Sequence, residues 1–367
     1  MSKTVLAINP GSTSTKIALF QGQTCVFEDS IDHPATVLQK YPKVIDQLEA
    51  RSRLLKQVLA DHQVSLVELE GVVGRGGLLH PMAAGTYEVN QAMKADLIAE
   101  VSGSHASNLG AFMAEEIAEL AGVSAYIVDP VVVDELQEVA RFSGNQLFER
   151  RSIFHALNQK AVARKVATQL NRHYEELRLI VAHLGGGISI GAHLNGRVVD
   201  VNNALDGEGP FSPERSGSLP MADFLAYSLN QQEKGRVGLM KELVGRGGLV
   251  SYLGTNDLRE VEAQMAQGDQ RAKAVFQAMV YQVAKCIGEQ AVVLKGQIDG
   301  IVLTGGLAFS QQFVEELGTY IRWLGPLFIE PGEDEMNALN QGAQSVLKGE
   351  ETAKTYFGKG DPHVKKL

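Results

Sequence analysis

One pattern is written twice in this 367-residue chain. An apolar, partly β-branched run from Thr4 to Ile8 meets the turn-forming Asn9-Pro10-Gly11-Ser12. Lys16 to Phe20 then predicts a second strand, Gln21-Gly22-Gln23 a hairpin turn, and Thr24 to Asp29 a third strand. The order returns as a strand over Leu179 to Ala182, the glycine turn His183-Leu184-Gly185-Gly186-Gly187, a strand over Ile188 to Leu194, the turn Asn195-Gly196 and a strand over Arg197 to Val201. Gly11 falls on Gly185, Ala18 on Ala192 and Gly22 on Gly196, each 174 positions on, so the units match without a gap. A chain built this way is expected to hold two related halves, and its length suits two domains at roughly 150 residues each.

Helical stretches are expected over Ile45–His62, Leu109–Ala121, Leu157–Leu177, Asp257–Val293 and Met336–Leu347. Alternation of strands and helices predicts α/β sheets. No proline-rich or serine-rich linker separates the halves. Charge narrows the function: 34 Lys and Arg against 43 Asp and Glu leave a net charge of −9. Nucleic-acid binding of the general kind is excluded, because phosphate affinity needs clustered cations, whereas one nucleotide needs only a nest of backbone N–H groups. Cys25 and Cys286 stand far apart with no metal spacing, which points to reduced thiols in a cytoplasmic protein. No uninterrupted apolar run predicts a membrane span.

Glycines placed after buried strands let backbone N–H groups approach an anion. Candidate loops are Asn9-Pro10-Gly11-Ser12-Thr13-Ser14, His183 to Gly187, Thr304-Gly305-Gly306-Leu307, and the twin VGRGGL hexapeptides at Val73 to Leu78 and Val244 to Leu249. None fits GxGxxG after the first strand, and Lys16 completes no GxxxxGK[ST] pattern. What remains is a nucleotide gripped by hairpin loops from both halves, with a third glycine loop after Gly300 to Leu303.

The segments VLAINPGSTSTK, GRGG, SHASNLG, IVDP, RRSIFHALNQK, HLGGGISIGAHLNG, PERSGSLP, GTNDLRE, IVLTGGLA and EPGEDEM resemble those of the acetate and butyrate kinases, the acetokinase family of short-chain carboxylate kinases. The resemblance runs from Val5 to about Leu347 and is stronger to the butyrate and branched-chain fatty acid kinases than to the acetate kinases. It implies duplicated ribonuclease-H-like domains of the actin, hexokinase and chaperone superfamily, with the active site in the cleft between them. The expected halves are residues 1–150 with a C-terminal helix over about 336–367, binding acid and phosphate, and residues 151–335, binding nucleotide. The implied activity is reversible, ATP-dependent phosphorylation of butyrate or a similar short or branched acid by direct in-line transfer, with Mg²⁺. Alternatives are acetate, propionate or branched-chain fatty acid phosphorylation, a sugar kinase using Asp129 or Asp206 as base, or a non-catalytic nucleotide-gated protein. A homo-oligomer, dimer or higher, is implied as well.

Phosphoryl transfer to a carboxylate crowds anionic oxygens together, so fixed cations are required. Arg75 in GRGG and Arg215 in ERSG lie in glycine-containing loops where a guanidinium can make two parallel hydrogen bonds. Arg246 occupies the second hexapeptide; the resemblance favours Arg75. It further implies that His155 donates a hydrogen bond to the phosphoryl group in flight, that Asp129 aligns the metal or substrate, and that His105 supports the acid site. His183 would orient the loop Gly185, Gly186 and Gly187. Asn9, Ser12 and Ser14 would approach the γ-phosphate, with Asn9 and one of Asp334 and Glu335 near the metal. Asp257 and Arg259 would contact adenosine, with Gly305 and Gly306 close beneath it. In acetate kinases two valines follow the matching arginine; here Gly76 and Gly77 follow Arg75, so Gly77 and Phe154 are expected to bound a pocket enlarged for a longer acid.

Overall fold

The computed structural model describes residues 2–360, and these divide into two compact units, residues 2–134 with 334–360 and residues 135–333. The first unit opens with β1 (Thr4–Pro10), β2 (Ser14–Gln21) and β3 (Thr24–Asp32). It continues through α1 (Ala35–Leu38), α2 (Leu48–Asp61), β4 (Gly71–Arg75), β5 (Thr86–Glu88), α3 (Gln91–Ile98), α4 (Gly110–Ala121) and β6 (Ala125–Val128). The second unit contains the hairpin β7 (Phe142–Asn145) and β8 (Phe148–Glu149), then α5 (Ala156–Gln169), β9 (Arg178–Leu184), β10 (Ile188–Leu194) and β11 (Arg197–Val201). After these come α6 (Met221–Asn230), α7 (Gly235–Leu243), α8 (Gly248–Leu253), α9 (Leu258–Ala266), α10 (Gln270–Val293), β12 (Gly300–Gly305), α11 (Gln311–Ile321) and β13 (Leu327–Pro331). The chain then returns to the first unit as α12 (Glu335–Leu347).

The repeat read from the sequence is the repeat of the sheets. One sheet runs β3-β2-β1-β4-β6-β5 and the other β11-β10-β9-β12-β13, so the first five positions correspond. In each, an antiparallel hairpin leads to a central strand that pairs in parallel with the next, β1 with β4 and β9 with β12. This is the duplicated ribonuclease-H-like, actin-type fold. Apart from Thr4 and Arg178 at their starts, the central strands are buried, which is why they read as unbroken apolar runs. α10 covers its sheet with Val275, Phe276, Met279, Val280, Val283 and Ile287, buried at helical spacing.

Several boundaries differ from expectation. The first crossing between units falls after Asp134, not at 150, and the return falls at Asp334. Residues 135–150 belong with the second sheet: Gln137 N–H donates to Val199 O at 2.9 Å, and Arg150 pairs with Asp200 at 3.0 Å. The C-terminal helix ends at Leu347, capped by the left-handed Gly349 (φ 74°), and Lys354 pairs beside Tyr87; expected helix beyond residue 360 lies outside the described residues. The stretch expected as one helix from Asp257 to Val293 breaks at Gly268 (φ 92°), and Asp257 and Asp269 each cap a new helix by accepting backbone N–H groups. The helix from Leu157 stops at Gln169, with Asn171 left-handed just beyond (φ 51°).

β4 and α4 approach so closely that glycine is required on both. A Cβ on Gly74 would strike the Gly110 carbonyl, and one on Gly110 would strike the Arg75 carbonyl. This contact sets the height at which β4 delivers Arg75. Gly110→Ala should therefore destabilise the protein by about 1–3 kcal/mol through forced backbone displacement. Urea unfolding measures it, and an unchanged midpoint would contradict the packing described.

Candidate active site

In the first unit three polar side chains meet at the ends of β1, β4 and the start of α12. Asn9 Nδ2 donates to Glu335 Oε2 at 2.6 Å, and Arg75 Nη1 donates to that same oxygen at 2.9 Å and to Asn9 Oδ1 at 3.3 Å. Asp334 does different work. It caps α12, accepting from Asn337 N at 3.4 Å and Asn337 Nδ2 at 3.1 Å. Of the acidic pair, Glu335 is the one beside Asn9.

The β1–β2 loop that carries Ser12 and Ser14 is organised from beneath by a residue the sequence reasoning passed over. Arg51, 1% exposed, donates to Gly11 O at 2.9 Å, Ser12 O at 3.3 Å and Thr15 Oγ1 at 3.2 Å. Gly11 N–H closes the turn on Ser14 O at 2.7 Å. His33 meets Thr15 Oγ1 at 2.8 Å from the other side. Asp129, directly after β6, is buried with a left-handed backbone (φ 36°), and its Oδ1 accepts from Gly85 N at 2.7 Å. A non-glycine residue in that region stores strain that the surroundings must offset.

Gly77 does not open space for a longer acid. A Cβ there would lie 2.7 Å from the Asn108 Cα and 2.7 Å from Leu97 Cδ2, so the volume a valine would occupy is already filled. Asn108 Oδ1 also accepts from Leu78 N at 2.8 Å, fastening the glycine loop to that neighbour. The enlarged pocket at Gly77 is thus corrected by packing. His105 is exposed and caps the short turn Ala106–Leu109, its Nδ1 accepting from Ser107 N at 3.1 Å.

In the second unit His155 stands at the residue before α5 and stacks on His183, with ring centroids 3.7 Å apart and planes within 11°. His155 Nδ1 lies 2.9 Å from Ser189 Oγ, and His183 Nδ1 lies 2.8 Å from Asn158 Oδ1. Glu333 Oε1 stands 3.0 Å from His183 Nε2 but out of line for a hydrogen bond. Glu333 belongs to the same PGEDEM segment as Glu335, a signal that was present but unread. Phe154 is buried.

The glycines of the His183–Gly187 loop have distinct uses. Gly187 makes room for Arg215, whose guanidinium fills the place a Cβ would take. Arg215 Nη1 donates to Ala204 O, and its backbone N–H to Ser212 Oγ at 3.1 Å, while Ser212 Oγ donates to Gly186 O at 2.5 Å. Burial pushes the guanidinium below its ordinary value, and Glu214 and Asp206 push back. Arg246 instead is 65% exposed and faces Glu242 at 3.8 Å. Gly185 and Gly186 join Asp257, Arg259 and Gly306 in lining a pocket of about 710 Å³, together with Pro213, Glu214, Asn256, Leu258, Glu262, Leu307, Phe309 and Ser310. Gly306 is open on its Cβ side, and Gly305 (φ 86°) brings the turn against the Leu184 carbonyl. Arg259 is mostly exposed and forks onto Asp257 at 2.6 Å.

Residues 136–357 match the model of the acetokinase family. A "Probable butyrate kinase" of Listeria monocytogenes serotype 4a (strain HCC23) is 52% identical over 356 residues, 97% of this chain and 100% of that one. The chain belongs to the acetokinase family. Two solved structures share the fold: an acetate kinase of Porphyromonas gingivalis (TM-score 0.77, 19% identity, 94% of this chain and 100% of that one) and a propionate kinase of Francisella tularensis subsp. tularensis SCHU S4 (TM-score 0.70, 18% identity, 93% and 98%).

The donors present fit the Mg²⁺ that the acetokinase family implies. Among the described residues no three His, Cys, Asp or Glu side chains cluster to hold a metal alone. The Asn9 amide oxygen and Glu335 carboxylate are hard oxygen donors of the kind Mg²⁺ takes beside water and phosphate. Among the same residues, no helix is long and apolar enough to cross a membrane.

His33, under the β1–β2 loop, gives this acetokinase-family protein a measurable pH signature. Burial first, and the Arg51 charge second, pull its imidazole from 6.5 to about 4, against an upward pull from Asp32. The folded value is depressed, so the unfolded chain binds the extra proton between those limits. Stability is complete above pH 6.5 and is lost as pH falls toward 4. His33→Asn should flatten that limb of a plot of Tm against pH; an unaltered slope would contradict the assignment.

Proposed function

We propose that this carboxylate kinase phosphorylates butyrate or a similar short or branched acid with ATP, in the cytoplasm, yielding ADP and the acyl phosphate. The observation that carries the reading is Arg215 packed against Gly187, in the glycine loop whose Gly185 and Gly186 line the 710 Å³ pocket. A largely desolvated cation beside a glycine loop that borders a nucleotide-sized volume supports phosphoryl transfer. Pro213, Leu258, Leu307 and Phe309 offer apolar faces for the base, and Asn256, Asp257 and Arg259 offer polar contacts.

The acceptor carboxylate is already ionised and needs no general base. Its oxygen attacks the γ-phosphorus as the bond to the β,γ-bridging oxygen breaks, and ADP leaves with that electron pair. Arg75 and Arg215 offset the charge gathered around the phosphoryl group, and His155 donates a hydrogen bond to one of its oxygens. Mg²⁺ held by Glu335 and Asn9 would supply further neutralisation of the phosphates when bound. The sugar-kinase alternative requires a free carboxylate base. Asp129 is engaged by Gly85 N, and Asp206 by Arg151 at 2.5 Å and Asn203 at 3.1 Å, which supports the carboxylate acceptor.

Preference for butyrate rests on the 52% likeness to a probable butyrate kinase, since Gly77 supplies no cavity. Two further methylenes at about 0.8 kcal/mol each correspond to roughly a tenfold advantage over acetate. In a hydroxylamine-trapping assay, ATP turnover should depend on added acid, with kcat/KM highest for four-carbon or branched acids. Arg215→Ala or His155→Ala should lower kcat by about 10²-fold or more. Turnover independent of acid would refute the reading, and full activity in either variant would refute that residue's role.

A further inference from the structure

A buried chain of hydrogen bonds leads to His155 from the interior of the second unit. Its members are Tyr174, His193, Gln159 and Ser189; Gln159, Ser189 and His193 are wholly buried and Tyr174 is 5% exposed. The polarity of the chain is set at one atom. The Ser189 backbone carbonyl can only accept, so the Gln159 head group 3.0 Å away must be its NH₂. The other head-group atom, Oε1, then only accepts, and His193 Nε2 at 3.0 Å must carry a hydrogen. With its proton on Nε2, His193 presents a lone pair at Nδ1, and the Tyr174 hydroxyl at 2.7 Å donates to it. Burial holds His193 well below the usual imidazole range, with the charges of Lys160 and Arg164 adding to the effect, so a single ring proton is expected.

The other end of the chain is fixed by the same reasoning. Gln159 Nε2 also donates to Ser189 Oγ at 2.8 Å, and the backbone N–H of His155 approaches that oxygen at 3.4 Å. Both contacts use Ser189 as acceptor. Its own hydrogen is left for His155 Nδ1 at 2.9 Å. We propose that Ser189, oriented by Gln159 with His193 and Tyr174 behind it, is a positioning residue that holds His155 as the tautomer protonated on Nε2.

The consequence for the reaction rests on the function proposed above. A histidine that must donate to a phosphoryl oxygen is useful only if the nitrogen away from its anchor carries the proton. Donation by Ser189 to Nδ1 secures this without a charged partner. An orienting group on the far side of a catalytic imidazole does the same in hydrolase triads, where the wrong tautomer is severely impaired.

The test uses the full chain labelled with ¹⁵N, and two-bond ¹H–¹⁵N spectra of its imidazoles. His155 and His193 should both show a protonated Nε2 and an unprotonated Nδ1. Ser189→Ala should shift His155 toward a mixture of tautomers and lower kcat about tenfold to a hundredfold, with KM for ATP unchanged. Ser189→Thr, which keeps the hydroxyl, should restore the spectrum. Wild-type His155 protonated on Nδ1, or on both nitrogens, would overturn the proposal without any variant. So would a Ser189→Ala protein whose His155 spectrum and kcat match the wild type. His155→Ala with full kcat would instead sink the role given to His155 in the reaction, while the wild-type spectrum still decides the tautomer.

Discussion

The ion pair between Arg75 and Glu335, 2.9 Å long, with Asn9 bonded to both, closes the first unit. It joins the end of β1, the end of β4 and the first residue of α12, brought together from the two ends of the chain. Both side chains are largely withdrawn from water, with 21% and 13% exposure, so the pair carries a desolvation cost that its Coulomb attraction only partly offsets. Hydrophobic residues of similar shape could close such a junction at least as well. A cation, an amide and a carboxylate are held there instead, which is the basis for proposing metal and phosphate contacts at this junction.

Duplication explains how the two units reach different chemistry from one scaffold. β1 and β9 occupy the same sheet position, and each ends in a tight turn into a hairpin. In the first unit that turn is stiffened by the buried Arg51, whose guanidinium gathers three carbonyl oxygens and leaves the Ser12 and Ser14 side chains on the loop. In the second unit three successive glycines take the equivalent place, and the cation, Arg215, lies against the last of them, Gly187. One loop is shaped by an arginine beneath it and the other accommodates an arginine beside it.

What the sequence made legible follows period and punctuation. The six hairpin strands stand within three residues of expectation because glycine turns bound unbroken apolar runs. Asn9, Arg75 and the acidic pair Asp334 and Glu335 were identifiable by motif, though not which of the pair meets Asn9, as were Gly185, Asp257 and Gly306, which do share one pocket. Gly77 misled because a missing side chain was taken for empty space, whereas Leu97 and Asn108, distant in sequence, fill it. Arg51 and Ser189 gave no local signal: each matters through what it touches across the fold, Arg51 from the first turn of α2 and Ser189 from inside β10. The break at Gly268 was hidden because apolar spacing continues on both sides of it.

The central claim is that the acid attacks phosphorus directly, with no phosphorylated side chain between ATP and product. ATP made chiral at the γ-phosphorus with oxygen isotopes tests it most directly. One in-line displacement predicts inversion of configuration in the acyl phosphate. Retention would mean two displacements through a phosphoryl-enzyme, and would contradict the roles given to Arg75, His155 and Arg215.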